Sequence, residues 1–451
     1  MIKAFRNALK IPELRTRLMF TALLLIVYRL GAHITLPGVN DAAVAAFFED
    51  LQNRPGGSMI GFVDLFSGGA FSQMTIFALG IQPYISASII MQLLAVVVPA
   101  LEKLSKEPDG RKKITQYTRY GTVILSAVQG IGISAVLRSP ESLGIAVRDA
   151  AGQPMPIVAN PTVWWTLLTM ITLMAGTSFV MWLGEQITER GIGQGISLII
   201  TIGILAGMPG GANALFGRLF SDPSFGLPQV VFFLALAVVA IMGTVYIQLS
   251  VRKIPVQYAR RVVGRKVFGG QTTHLPLRVN AAGMIPIIFA VTLIQFPSTL
   301  LGFLPQTWGW VGGMLGFITS SPLYEITYAL LIIGFTYFYT AVQINPVQMA
   351  EDLRKYGGFI PGIRPGKRTA EYINDTLTRI TLPGALFLAA IAVIPMVLQR
   401  WLGVGTLISG ASVLIVVGVV LDTMSQIESY LTMRHYEGFL KDRRVRGRRS
   451  R

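Results

Sequence analysis

Cysteine is absent from the 451 residues, and the three histidines, His33, His274 and His435, lie far apart along the chain. Disulfides, thiol catalysis and thiolate metal sites are thereby excluded, and no set of metal ligands can be assembled. No phosphate-binding loop and no Ser-His-Asp pattern occurs. The expectation is a protein that is not an enzyme and has no catalytic residue, no metal and no cofactor. Gln82, Gln92, Gln194 and Gln343 fall nearest the interiors of long apolar runs, where helix-to-helix hydrogen bonds are the expected use of an amide. Arg29, Glu325 and Asp422 fall toward the ends of such runs, where snorkelling to the interface is cheap. A pump or ion-coupled carrier needs ionisable groups at mid-membrane, and the run centres hardly supply any. Cargo moved by this chain would draw its energy from another component or from the membrane potential.

The elements that position these side chains are built for lipid. Charged residues make up 14 % of the chain and apolar ones 52 %, whereas soluble domains carry roughly 25 % charge. Apolar runs recur at the length that a hydrocarbon core of ~30 Å demands. Ten spans are placed at 16–36, 74–98, 115–137, 162–184, 191–208, 227–250, 281–304, 322–344, 377–399 and 403–424. The first run is too long for a cleaved signal peptide, and another span follows it. Residues 59–72, MIGFVDLFSGGAFS, are apolar in part but far too short to cross. Such a segment is re-entrant or interfacial, which backbone hydrogen bonding permits only where protein or water surrounds it.

Orientation follows from the placement of the +17 net charge. The N-terminal arm carries Lys3, Arg6, Lys10, Arg15 and Arg17 against a single acid, Glu13. Lys103, Lys106, Arg111, Lys112, Lys113 and Arg119 fall between the second and third. Arg252, Lys253, Arg260, Arg261, Arg265, Lys266 and Arg278 fall between the sixth and seventh, and Arg354, Lys355, Arg364, Lys367 and Arg368 between the eighth and ninth. The chain ends KDRRVRGRRSR. Ten spans put all of these on one side, so both termini are expected in the cytoplasm. Opposite loops are acidic (Asp41, Glu49, Asp50, Asp64) or nearly uncharged; the turn with Glu185, Glu189 and Arg190 is the exception.

Five spans lie on each side of residue ~215, and an odd count per half makes related halves run in opposite directions. One echo fits this: Gly80-Ile81-Gln82-Pro83 in the second span and Gly283-Met284-Ile285-Pro286 in the seventh, each with an isoleucine two residues past the proline, Ile85 and Ile288. Two ordinary kinked helices are the plainer reading; a functional midplane is the other. The loop around 250–280 carries more positive charge than orientation needs. The loop around 345–376 contains GGFIPGIRPG, which displays Arg364 between Ile363 and Pro365. A guanidinium there suits bidentate contact with carboxylate or phosphate, though basic loops on this side also serve topology alone.

At these residues the chain resembles the SecY family, the channel subunits of the bacterial protein-conducting translocon. The strings FSGGAFSQMTIFALGIQPYISASIIMQLL, QYTRYGT, MWLGEQITERGIGQGIS, QTTHLPLRVN, GGFIPGIRPG and ASVLIVVGVVLDTM carry the resemblance over about ten spans. It implies an all-α polytopic membrane protein of two inverted five-helix halves enclosing an hourglass pore, here residues 1–215 and 216–424, with a basic cytoplasmic tail at 425–451. It implies an isoleucine ring at Ile81, Ile85, Ile196, Ile200, Ile288 and Ile415, the first two pairs each spaced to share one helix face. The short segment becomes a plug half-helix with Phe62, Asp64, Phe66, Gly68 and Gly69. A lateral gate would include Ser86, Ser88, Gln92 and Gln194, the last an asparagine in the family. Arg252, Lys253, Arg260, Arg261, Arg265 and Arg364 would dock the ribosome and the motor ATPase SecA. The implied setting is the bacterial cytoplasmic (inner) membrane, with SecE and SecG as partner subunits. The implied function is passing unfolded secretory proteins with signal sequences across the bilayer and releasing membrane helices sideways into lipid.

Two other readings stand beside a passive protein channel. A secondary transporter for a small solute would share inverted repeats and a broken second helix, but needs midplane polar ligands. A membrane scaffold that recruits partners through its loops would leave residues 59–72 without a use.

Overall fold

The computed structural model describes residues 11–53, 64, 66–107, 109–140, 155–159, 161–221, 226–258, 261–263, 266–268, 272–301, 323–402 and 410–442. Phe62, Arg260 and Arg265 lie outside them, as do residues 443–451. A helix occupies each of the ten predicted spans. They are α1 Pro12–Gly31, α3 Gln82–Val97, α5 Gly110–Arg138, α6 Val163–Arg190, α7 Gly195–Ser221, α8 Leu227–Leu249, α9 Ile285–Leu301, α10 Leu323–Gln343, α12 Lys367–Leu402 and α13 Gly410–Asp442. Among the described residues, three shorter helices intervene: α2 Asp41–Asn53, α4 Pro99–Lys106 and α11 Pro346–Lys355. Among the described residues, seven helices are long and apolar enough to cross a bilayer unaided. In α8 the outward side chains Val231, Phe232, Leu234, Val238, Val239 and Met242 are all apolar and exposed, the pattern of a helix whose surroundings are hydrocarbon. Small residues allow close packing: a Cβ on Gly130 of α5 would stand 3.2 Å from Met170 Cα of α6.

Several expectations need correction. Residues 74–81 of the second predicted span form turns, and helix begins only at Gln82. That helix breaks at Val98 into α4 through a bend of 105°; Pro99 removes a donor at the break and starts the new helix. Glu185 and Glu189 belong to α6, not to a turn after it. The acidic outer loop contains α2, which buries Val44, Phe47 and Phe48 on one face. The basic loops are not plain connectors either: β1 Val251–Tyr258, β2 Arg261–Val263, β3 Lys266–Phe268, β4 Thr272–Arg278 and β5 Gly358–Phe359 lie in them.

The chain divides into two compact units, one with residues up to Pro209 and from Val419 onward, the other Gly210–Gly418. In the first, Leu36, Val44, Phe47, Met74, Leu137, Ile157, Trp165 and Leu173 form a core beyond the C-terminal end of α1. At the opposite end of α1, Leu14 packs with Ile192 and Ile427, and the Arg17 guanidinium lies 5.4 Å above the Tyr430 ring. The turn joining α6 to α7 is pinned there, Ile192 N–H donating to Thr21 Oγ1 at 3.1 Å and Gly193 N–H to Gln426 Oε1 at 3.0 Å. In the second unit, β1 pairs antiparallel with β4 from Val251–Arg278 to Gln257–Thr272, and with β5 at Gln257–Phe359 and Tyr258–Gly358.

Candidate functional site

The helices α3 and α9 start alike. Gly80 (φ 53°) and Gly283 (φ 64°) take left-handed backbone, which glycine adopts without the Cβ penalty. The helix follows two residues later in each case, with Pro83 or Pro286 in its first turn, where a missing N–H costs nothing. The echo seen in the sequence is thus a non-helical approach to a helix start, not a kink inside a helix. Ile81 is the N-cap of α3, and its carbonyl accepts the Ile85 N–H at 3.1 Å. Both isoleucines are buried, as are Ile200, Ile288 and Ile415. Ile196 is half-buried and leans on α6, its Cγ1 3.1 Å from where a Cβ on Gly184 would stand. Ile81, Ile85, Ile196 and Ile200 belong to the first unit, Ile288 and Ile415 to the second.

The re-entrant segment is helical at Asp64 and at Phe66 and Ser67, then runs through turns to Ile81, so a half-helix is only part of its description. Asp64 organises it. Its Oδ1 accepts Ser72 N–H at 2.8 Å, its carbonyl accepts Ser67 Oγ–H at 3.0 Å, and Ser67 Oγ accepts Phe71 N–H at 3.0 Å. Burial pushes the Asp64 carboxyl up from its ordinary range, with the Ser72 amide opposing. A two-bond bridge follows, Leu36 N–H to Met74 O and Ile76 N–H to Ile34 O, both 2.9 Å, tying the segment to the chain after α1. Gly68 (φ 69°) meets α7: a Cβ there would stand 2.6 Å from Gly203 Cα. Sequence reasoning missed the side chains that hold this segment. Arg29 does not snorkel; its Nη1 donates to Gly68 O at 2.8 Å. The buried Tyr28 donates its Oη–H to Ser67 O at 3.1 Å. A span-end Tyr-Arg pair is the only sequence trace of this.

Two of the four amides act locally. Gln92 Nε2 donates to Ser88 Oγ at 3.1 Å within α3, and Gln194 Oε1 accepts Ser197 Oγ–H at 3.0 Å at the start of α7. Neither bond joins two helices. Ser86 is buried. Glu325 lies in the first turn of α10, at the span end as expected, but is buried against protein. An ion pair crosses helices, Arg119 Nε with Glu185 Oε1 at 2.8 Å, from α5 to α6.

The two basic loops share one core. Ile254 and Val256 of β1, Leu277 of β4, Ile360 after β5, and Ile373 and Leu377 of α12 are buried together, with Ile363 packed against them. Alternation along β1 puts Ile254 and Val256 inward, while Arg252 and Lys253 are exposed. Arg261 sits in the β2–β3 ladder opposite Phe268. Arg364 is exposed in a loop bounded by left-handed Gly362 and Gly366. Its carbonyl accepts Thr369 Oγ1–H at 3.0 Å, and Ile363 N–H donates to Ile360 O at 3.1 Å. The guanidinium therefore projects from a fixed backbone.

Comparison with known proteins gives a consistent result. A SecY family sequence model matches residues 75–424. The protein translocase subunit SecY of Halalkalibacterium halodurans is 46 % identical over 452 residues, covering 98 % of this chain and all of that protein. A solved structure in which the SecY plug domain is described as stabilising the closed state of the translocation channel matches with a TM-score of 0.60 at 19 % identity, covering 92 % of this chain and 91 % of that one. Sec61 in a canine ribosome–channel complex matches with a TM-score of 0.54 at 16 % identity, over 92 % and 91 % of the two chains. These structural likenesses concern the fold.

Proposed function

The chain belongs to the SecY family and is a multi-pass protein-conducting channel of the Sec translocon; from that premise we propose how its own residues do the work. Ile81, Ile85, Ile196, Ile200, Ile288 and Ile415 form an apolar constriction that fits around an extended chain. Such a ring excludes ions by dewetting and needs no selective ligand, which suits a membrane interior with few ionisable groups. The segment at 60–72 is the plug. The observation that carries this reading is the re-entrant backbone bonded to α1 and pressed on α7 immediately before the Ile81–Ile85 turn.

Signal sequences and membrane helices leave sideways through a lateral gate that includes Ser86, Ser88, Gln92 and Gln194. A signal's apolar core of ~7–15 residues gains ~0.3–0.6 kcal/mol per residue in lipid. About twelve residues yield ~4–7 kcal/mol, beside the ~5.5 kcal/mol that turns a mostly closed gate mostly open. The energy for passage comes from outside, through SecA or the ribosome docked on Arg252, Lys253, Arg260, Arg261, Arg265 and Arg364. SecE and SecG complete the channel. Placement in the bacterial inner membrane with both termini cytoplasmic is supported by the one-sided basic charge and by the packing of Leu14 and Arg17 against Ile427 and Tyr430.

Because the chain has no cysteine, a single cysteine introduced at position 81, 85, 200, 288 or 415 reports only its own surroundings. A stalled secretory chain should crosslink to all five and not to the lipid-facing Val238 of α8. Crosslinks no stronger at the five positions than at Val238 would remove the pore from this assignment.

A further inference from the structure

We propose that Tyr28 and Arg29 are positioning residues that hold the plug shut, with Gly203 as the surface it is held against. The inference rests on the plug reading above and goes beyond it by assigning the groups that set the resting position.

Three independent contacts converge on residues 66–68 of the plug. Tyr28 Oη–H and Arg29 Nη1–H donate to the consecutive carbonyls of Ser67 and Gly68, at 3.1 and 2.8 Å. From the other side, the backbone of Gly203 touches the same stretch: a Cβ on Gly203 would stand 3.2 Å from both Gly68 N and Phe66 O. The stretch is therefore clamped between α1 and α7. Carbonyls removed from water must have donors. Displacing the plug strips two carbonyls and one guanidinium of their partners at once. The Tyr28 ring is held in place regardless of its hydroxyl, stacked on Phe77 at 5.9 Å and 9°. That makes the hydroxyl removable without disturbing the packing.

A bland account competes: Arg29 lies in the last turn of α1, where a cation complements the helix dipole. Lysine would serve the dipole equally, but offers no fixed fork of donors to a carbonyl. The two accounts therefore differ in what Arg29→Lys does.

The test is resting ion conductance of the complete channel in planar bilayers, with export of a protein bearing a defective signal sequence as second readout. Tyr28→Phe should raise resting conductance about fivefold, and Arg29→Met about tenfold or more, as expected from losing a neutral or a charge-assisted hydrogen bond. Arg29→Lys should lie between Arg29→Met and wild type, and both readouts should move together. Gly203→Ala should raise conductance, while Gly217→Ala on the same helix, with nothing within 4 Å of the added carbon, should not. In a channel lacking residues 60–71, Tyr28→Phe and Arg29→Met should add nothing. Wild-type conductance in Tyr28→Phe and Arg29→Met, beside a leaky deletion, overturns the clamp and leaves the plug standing. Equal increments with and without residues 60–71 overturn it too, since the pair would then act elsewhere. A deletion as tight as wild type overturns the plug reading and the clamp with it.

Discussion

At Gly80 and again at Gly283 the chain turns through left-handed backbone and starts a helix two residues on. The surroundings differ. A Cβ on Gly80 would lie 3.6 Å from Ser67 of the re-entrant segment, whereas nothing lies within 4 Å of one on Gly283, whose carbonyl is held by Asn280 Nδ2 at 3.1 Å. The first unit thus adds a covering segment before its helix start. The second adds a basic sheet built from two loops instead. What the two share is the device that places an isoleucine one turn into a helix, Ile85 and Ile288. What they do not share separates, on the proposed reading, into a seal on one unit and a docking surface on the other.

That division can be tested by damaging one side at a time. The largest effect is expected at Arg364. Arg364→Glu should cut SecA-driven translocation into vesicles by more than about tenfold, since reversing a contact charge costs well over the ~1.4 kcal/mol that a decade represents. Resting conductance should stay at the wild-type level, because the residue is exposed and packs against nothing in the membrane. Arg368→Glu, exposed in the first turn of α12, should be tolerated better. Matched rates for wild type and Arg364→Glu at equal channel density would reduce the loop to a connector.

Next comes the seal. Deleting residues 60–71 should raise ion leak severalfold while the channel still inserts and supports some export. Collapse of the whole protein on deletion would mean the segment is core, and the contrast between the units would lose its meaning. The shared device predicts symmetry: Ile85→Asn in the first unit and Ile288→Asn in the second should each raise leak and admit defective signal sequences. Ile415→Asn should do the same. A leak confined to one unit's variants breaks the proposed ring.

The smallest effect concerns the glycines. Gly80→Ala and Gly283→Ala each place a Cβ on left-handed backbone, at about 1–2 kcal/mol, and neither meets a close steric block. Thermal unfolding in lipid should show the two within about 0.5 kcal/mol of each other. A silent Gly283→Ala would mean that only the first helix needs its turn.

The ten membrane helices were legible because hydrophobic length is a strong and local signal. Their starts were less so, since residues 74–81 are as apolar as helix and only Gly80 and Pro83 mark the turn. The amphipathic α2 was hidden by reading Asp41, Glu49 and Asp50 for charge, while Val44, Phe47 and Phe48 at helical spacing lay between them. The sheet left a trace in the alternation of Ile254 and Val256. Its third strand, two residues long, has no local signature at all. Arg29 could not be read because a guanidinium at a helix end can turn outward or inward, and the choice rests on a carbonyl 39 residues away.

The sheet also sets a timetable for the newborn chain. Its strand at Gln257 pairs with Thr272 early but finds its second partner only at Phe359, and the buried Ile373 and Leu377 follow later still. At synthesis rates of ~5–20 residues per second, a gap of about a hundred residues is a wait of roughly 5–20 seconds. During that wait β1 and β4 can pair, but the core beneath them is missing half its side chains and Arg364 has not been made. The surface proposed to recruit a driving partner is therefore among the last features to mature. A half-made channel, with α10 not yet inserted, already carries Arg252 and Lys253 but lacks Arg364 and the side chains that complete the core beneath the sheet.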